Sequence, residues 1–172
     1  MRAITLIITA ALLGAASTAQ AHVTLAEPEA TVGASYRATF RVPHGCGTSP
    51  TVKVRVRIPV GVVGVKPMPK SGWKLDLVRG KYDKPYNMYH STLTEGVKEV
   101  AWSSGNLPND YYDEFVLSVY LTADLVPGTT LYFPVVQECE DGVNRWIEIP
   151  AEGKSSSDYK QPAPALRLRS KK

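Results

Sequence analysis

Two segments of the chain alternate apolar and polar residues with the two-residue period of a half-buried β-strand. Segment 36–42 reads YRATFRV and segment 52–58 reads VKVRVRI, so four apolar residues alternate with three polar or basic residues in each. Successive side chains of a strand point to opposite faces of its sheet. Each segment therefore predicts a strand with one face in a core and the other in solvent.

Short apolar segments separated by turn residues continue to residue 150. We predict further strands at 23–25, 73–78, 97–103, 115–121, 130–136 and 145–149, and we interpret the Tyr-rich segment 81–94 as a long hairpin or loop insertion. Turn residues such as Pro127-Gly128 separate these segments. No window of about 11 residues keeps a helical period with caps. The pattern predicts an all-β fold, an antiparallel Greek-key or immunoglobulin-like β-sandwich.

The first 21 residues have the features of a secretory signal peptide. Arg2 supplies the positive charge, and the apolar run 4–16 is too short to span a bilayer. Ala19 and Ala21 form the small-residue pattern that signal peptidase accepts. We therefore predict a periplasmic or secreted protein whose mature chain begins at His22.

An N-terminal histidine can chelate a metal ion. Its α-amine and the imidazole Nδ1 of the same residue bind one ion together, and the amine has a pKa of only about 7.7–8.0. Such nitrogen ligands suit Cu(II), which also stands highest in the divalent affinity order. His22 is thus a candidate Cu(II) ligand; the alternative is that His22 stands at the cleavage point by chance.

Charge divides the mature chain into two parts. Residues 22–150 hold 13 basic and 14 acidic residues, whereas residues 151–172 hold six basic and two acidic residues. We predict a β-sandwich domain over 22–150 and a disordered basic tail over 151–172. The domain lacks a basic stripe with interleaved aromatic residues, so we expect no nucleic-acid partner. We also expect no transmembrane anchor.

The chain has two cysteines, Cys46 and Cys139. In an exported chain the simplest prediction is one disulfide, which would close a long loop and stabilise the fold by about 4–5 kcal/mol at most. The alternative is a pair of thiolate metal ligands, but the cysteines do not have the close spacing of such motifs.

Two other residues could complete a site at His22. Glu114 stands at the start of an apolar strand, and its side chain points to the opposite face from that of Phe115. An acidic residue at such a position is often only a solvated charge. Trp146 lies in the last predicted strand, where a tryptophan more often fills a core. We expect His44, in a turn, and His90, in the Tyr-rich segment, to be surface residues.

The domain resembles the YcnI-like family of copper-binding domains along its whole length. The matching segments are His22-Val23-Thr24-Leu25, Arg41-Val42-Pro43-His44-Gly45-Cys46, Ser71-Gly72-Trp73, Val100-Ala101-Trp102-Ser103, Glu114-Phe115, Pro134-Val135-Val136-Gln137, Asp141-Gly142 and Trp146. The resemblance implies an exported β-sandwich that binds Cu(II) through a single-histidine brace, in which the N-terminal histidine and a carboxylate hold the metal beside a tryptophan.

Mapped by motif, the implied metal site consists of His22, Glu114 and Trp146. Glu27, Glu29 and Asp113 are alternative sources of the carboxylate. We expect a copper metallochaperone or homeostasis factor that is not an enzyme, with another copper chaperone or a membrane copper transporter as partner. The alternatives are a copper-dependent oxygenase, which needs a second imidazole from His44 or His90, and a metal-free interaction module.

Overall fold

The computed structural model of the protein describes residues 22–171, where the regular secondary structure is almost entirely β-strand. The predicted signal peptide, residues 1–21, lies outside the described residues. A 3-10 turn, Ser156–Asp158, precedes the last strand. The strands are β1 (Thr24–Leu25), β2 (Glu29–Thr31), β3 (Ala34–Val42), β4 (Thr51–Arg57), β5 (Val62–Pro67), β6 (Lys74–Met88), β7 (Ser91–Ser103), β8 (Asp113–Leu121), β9 (Thr130–Tyr132), β10 (Val135–Cys139), β11 (Val143–Trp146) and β12 (Ala165–Arg169).

Two large sheets form the sandwich. One has the strand order β1-β3-β8-β5 and the other β11-β10-β4-β7-β6, and all neighbouring strands within them are antiparallel. Trp102 of β7 and Phe115 of β8 meet between the sheets, with ring centroids 5.4 Å apart. The predicted all-β class and antiparallel pairing are confirmed.

The alternating segments place their apolar residues in the core between these sheets. Phe40 and Val42 of β3 and Val54 and Val56 of β4 are fully buried, whereas Arg41 between the first two is exposed. Burial of each such side chain contributes about 1.5–3 kcal/mol to stability. The alternation therefore determines which face of each sheet packs inward.

The Tyr-rich segment 81–94 forms the outer part of a hairpin made by β6 and β7. The register shifts between Lys81 and Tyr86, and the chain turns at Tyr89, whose φ is +54°. Tyr86 is buried and its hydroxyl donates to Asp83 at 2.8 Å. The hairpin interpretation of this segment is confirmed.

The prediction of a disordered tail over 151–172 is wrong for its described part. Strand β12 pairs in parallel with β2 and antiparallel with β9 to form a third, three-stranded sheet. Leu166 and Leu168 are buried in the common core, while Arg167 and Arg169 face solvent. The basic composition concealed the same apolar–polar alternation that identifies β3 and β4, so the domain does not end at residue 150.

Candidate metal site

His22 lies where the edges of the two large sheets come together. Strand β1 is an edge strand, and its register pairs Thr24 with Arg41 and Leu25 with Phe40. Continuing this register places His22 beside Pro43. The half-buried imidazole of His22 contacts Trp146 of β11, the edge strand of the other sheet, with ring centroids 5.5 Å apart. Two of the three residues in the predicted site are thus in contact.

Trp146 faces inward from β11 and is almost completely buried. Its indole Nε1–H donates to Oε1 of Gln137 at 2.9 Å. The indole nitrogen is therefore occupied as a hydrogen-bond donor, and only the ring surface of Trp146 is available to His22. In this arrangement a bound cation would meet the π-system of Trp146 rather than its nitrogen.

Gln137 of β10 is a functional candidate that the sequence did not reveal. Its side chain is fully buried, and its Nε2 donates to the carbonyl oxygen of His44 at 2.6 Å and to the Thr51 hydroxyl at 2.8 Å. Its Oε1 also accepts a longer bond from Asn144 Nδ2 at 3.4 Å. The sequence does show that Gln137 is a polar residue on the inward, otherwise apolar face of β10. Because buried polar groups need hydrogen-bond partners, this position indicates a buried network.

The predicted disulfide between Cys46 and Cys139 is confirmed and lies next to this network. Its Cα atoms are 6.0 Å apart, and it joins residues 93 positions apart in the sequence. Cys46 is two residues from His44, and Cys139 is two residues from Gln137. The bridge and the Gln137–His44 hydrogen bond therefore join the same two segments.

The other two histidines lie in different parts of the molecule. His44 is half-buried, its carbonyl oxygen accepts from Gln137 beside Trp146, and its Nδ1 lies 2.6 Å from the carbonyl oxygen of Gly45. His90 follows Tyr89, whose hydroxyl makes a 2.7 Å hydrogen bond with Ser35 Oγ. Ser35 is six residues from Arg41 along β3, which corresponds to about 20 Å. His90 is therefore remote from the corner.

Glu114 does not contact His22. The carboxylate is on the outer face of the four-stranded sheet and accepts a hydrogen bond from Arg41 Nε at 3.0 Å. Thr24, Arg41 and Glu114 are neighbours in one row across β1, β3 and β8. Because adjacent strands lie about 4.8 Å apart, the backbone of Glu114 is about 10 Å from that of Thr24. The role of Glu114 as a ligand stays a prediction.

The alternative carboxylates differ in their partners. Asp113 accepts from Lys70 Nζ at 2.6 Å, and Glu29 is ion-paired with Arg169. The hydrogen bond from Arg169 lowers the pKa of Glu29, with further help from the charges of Arg169 and Arg167. The exposed Glu27 carboxylate forms no ion pair within residues 22–171.

Across residues 22–171, no three His, Cys, Asp or Glu side chains are grouped closely enough to hold a metal ion. None of the helical structure described there has the length and apolarity needed to cross a membrane. The His22 corner thus brings an imidazole and an indole into contact. The carboxylate of the predicted site is not grouped with them in the described residues.

The fold and the corner define an immunoglobulin-like β-sandwich with a histidine and a tryptophan at one edge. Residues 22–168 match the family described as "Domain of unknown function (DUF1775)", so the chain belongs to this family, which is the YcnI-like family that its motifs resemble. The match begins at His22 and includes β12 through Leu168.

A solved structure supports the same fold. The chain resembles an uncharacterised protein from Nocardia farcinica whose crystal structure was described as revealing an immunoglobulin-like fold. The two share 28% sequence identity and a TM-score of 0.64, over 86% of this chain and 98% of that chain. No curated protein matches the sequence. The predicted immunoglobulin-like sandwich is therefore confirmed.

Proposed function

We propose that this chain is an exported Cu(II)-binding protein that handles copper in the periplasm or outside the cell and is not an enzyme. The observation that carries this proposal is the contact of the His22 imidazole with Trp146 at the sheet edge. Cleavage after Ala21 would give His22 a free amine, so that amine and Nδ1 chelate one ion. The ring surface of Trp146 would shield one side of that ion.

A carboxylate would complete the site by coordinating the ion and offsetting its charge. We retain Glu114 as the proposed ligand. Its pair with Arg41 is partly exposed, and such pairs contribute only about 0–1 kcal/mol, so releasing the carboxylate from Arg41 costs little. The larger obstacle to coordination is the distance between Glu114 and the His22 corner. Strand β3 lies between them, so the Glu114 side chain must extend past Arg41. Glu27, which has no ion pair to break among the described residues, is the matched competitor.

The decisive experiment compares two forms of the protein that differ by one residue. One form begins at His22, and the other carries a single Met before His22. We expect the extension to weaken Cu(II) binding strongly, because it converts the terminal amine into an amide and destroys the chelate. A competition titration with a chromogenic Cu(II) chelator measures both affinities. Equal affinities would refute the proposal, and absence of binding by both forms would favour the metal-free interaction module.

The backbone position of His44 favours a second candidate, a copper-dependent oxygenase with two histidine ligands. The carbonyl oxygen of His44 accepts from Gln137, which also accepts from Trp146, the residue in contact with His22. Electron paramagnetic resonance of the Cu(II) form would show hyperfine coupling to one imidazole for the binding protein and to two for the oxygenase. His44→Ala should leave the spectrum unchanged in the first case and alter it in the second.

A further inference from the structure

Gln137 has every hydrogen-bonding position of its carboxamide occupied although it is completely buried. The amide nitrogen has two donors and the oxygen has two acceptor positions. The donors bind His44 and Thr51, and the oxygen binds Trp146 and Asn144. These partners come from the segment after β3, the start of β4, and β11. The carboxamide is therefore held from several directions at once.

The orientation of Trp146 follows from this arrangement. The indole has one polar atom, and that atom points at Gln137 Oε1 at 2.9 Å. If the ring turned about its χ2 bond, the N–H would leave its acceptor and lie unpaired among buried apolar side chains, which is unfavourable. The hydrogen bond therefore determines which part of the indole surface faces the imidazole of His22, 5.5 Å away between centroids.

We propose that Gln137 is a positioning residue of the metal site: it fixes the indole of Trp146 against His22 and couples this contact to the segment that carries His44. The part of this inference that concerns copper rests on the proposed function. The part that concerns the orientation of the indole does not depend on any metal. His22 is not among the hydrogen-bond partners of the Gln137 side chain in the described part of the chain, so Gln137 would act through Trp146 and His44.

The test compares three variants with the wild-type chain beginning at His22. Gln137→Leu removes the acceptor of the indole N–H and both donors. Gln137→Glu keeps the acceptor oxygens and removes the donors. Thr122→Val is the control, since Thr122 is equally buried and its hydroxyl donates to the Gly61 carbonyl at 2.9 Å, away from this corner. Urea unfolding verifies that each variant is folded.

The first readout needs no copper. The indole ring current should displace the His22 imidazole proton resonances from their free-histidine positions, since the ring centroids are 5.5 Å apart, so proton NMR can report how the two rings are oriented. We expect Gln137→Leu to move these resonances toward free-histidine values, Gln137→Glu to restore most of the displacement, and Thr122→Val to leave it unchanged. Unchanged His22 resonances in folded Gln137→Leu would overturn the inference. If Gln137→Leu fails to fold, loss of the displacement in Gln137→Glu would overturn it equally.

The second readout is Cu(II) affinity by competition titration. We expect Gln137→Leu to weaken binding roughly ten-fold, the scale seen when the outer partners of a metal site are removed. In a Trp146→Phe background, which has no indole N–H, the same change should have little further effect, because residues that act through one contact are not additive. Fully additive losses would overturn the copper part of the inference.

The two proposals fail in different ways. If the wild-type protein does not bind Cu(II) while Gln137→Leu still shifts the His22 resonances, the proposed function is refuted and the positioning role stands. If copper binds equally to wild type and to folded Gln137→Leu, the proposed function stands and the copper part of the inference is refuted.

Discussion

The inner side of the His22 corner and the outer face of the sheet beside it are built from different interactions. Inside, Gln137 and Trp146 are buried and neutral and are joined by hydrogen bonds. Outside, Arg41 and Glu114 form an ion pair whose side chains are 54% and 37% exposed. Both regions use residues of the predicted site, but only the inner one brings two of them together.

The energetic consequences of the two arrangements are unequal. Leaving a buried polar group without its partner costs about 1–3 kcal/mol, whereas an exposed ion pair contributes about 0–1 kcal/mol. The shape of the corner is therefore determined from inside the sandwich. The carboxylates outside can change partners at small cost, as the proposed ligand role of Glu114 would require.

The largest change should come from removing the inner aromatic side chain. We expect Trp146→Ala to reduce the free energy of unfolding by about 3–5 kcal/mol, because it leaves a large cavity and removes the hydrogen bond to Gln137. Urea denaturation followed by circular dichroism measures this loss. A loss below about 1 kcal/mol would show that the buried Trp146–Gln137 side contributes no more to stability than the exposed Arg41–Glu114 pair.

The disulfide next to the Gln137 network should have the next largest effect. We expect the double variant Cys46→Ser/Cys139→Ser to lose about 2–4 kcal/mol of stability, because the bridge closes a loop of more than 90 residues. Copper stoichiometry should stay the same in the folded fraction. If one copper per chain is lost instead, the cysteines serve as ligands in the functional form.

The outer carboxylates should affect binding more than stability. We expect Glu114→Gln to change the free energy of unfolding by less than about 1 kcal/mol, since its ion pair is partly exposed. It should nevertheless weaken Cu(II) binding in a competition titration, while the matched Glu27→Gln should bind normally. The reverse result would assign the carboxylate ligand to Glu27.

The smallest effect should be the acid sensitivity of the Glu29–Arg169 ion pair in the three-stranded sheet. The pKa of Glu29 is lowered by its hydrogen bond from Arg169, so the folded state favours its charged form. The pair therefore stabilises the protein above the ordinary pKa of 4.5, and this contribution is lost as the pH falls through the lowered value. Urea midpoints between about pH 6 and pH 3 should fall less in Glu29→Gln than in wild type. Identical pH profiles would show that this pair does not contribute to acid stability.

Much of the fold follows from local sequence patterns. The alternation in segments 36–42 and 52–58 predicts β3 and β4, and the predicted signal peptide, which favours an oxidising compartment, predicts the disulfide. Strand β5 was not predicted, because its segment follows turn residues and contains a glycine. Gly64 has a φ of +62°, and the register with β8 shifts between Val63 and Lys66. Strand β12 escaped because basic residues alternate with its two leucines.

The candidate site depends on pairings that a local pattern does not contain. His22 and Trp146 were selected by motif, but their contact arises because β1 and β11 are the adjoining edges of two sheets. Glu114 was selected in the same way, and its partner Arg41 follows only from the register between β3 and β8. Gln137 could have been noticed as a polar residue on an inward face, whereas its four partners required the fold.

The pairing of β12 with β2 also has a consequence for how fast the molecule can fold. Arg169 and Glu29, which close this sheet, are 140 residues apart. The third sheet therefore cannot be completed until the chain between Glu29 and Arg169 is present, and the chain entropy of this closure must be overcome before Leu166 and Leu168 are buried. All-β proteins dominated by such distant contacts fold in about milliseconds to seconds. We expect β2 and β9 to expose unpaired edges until β12 pairs with both of them.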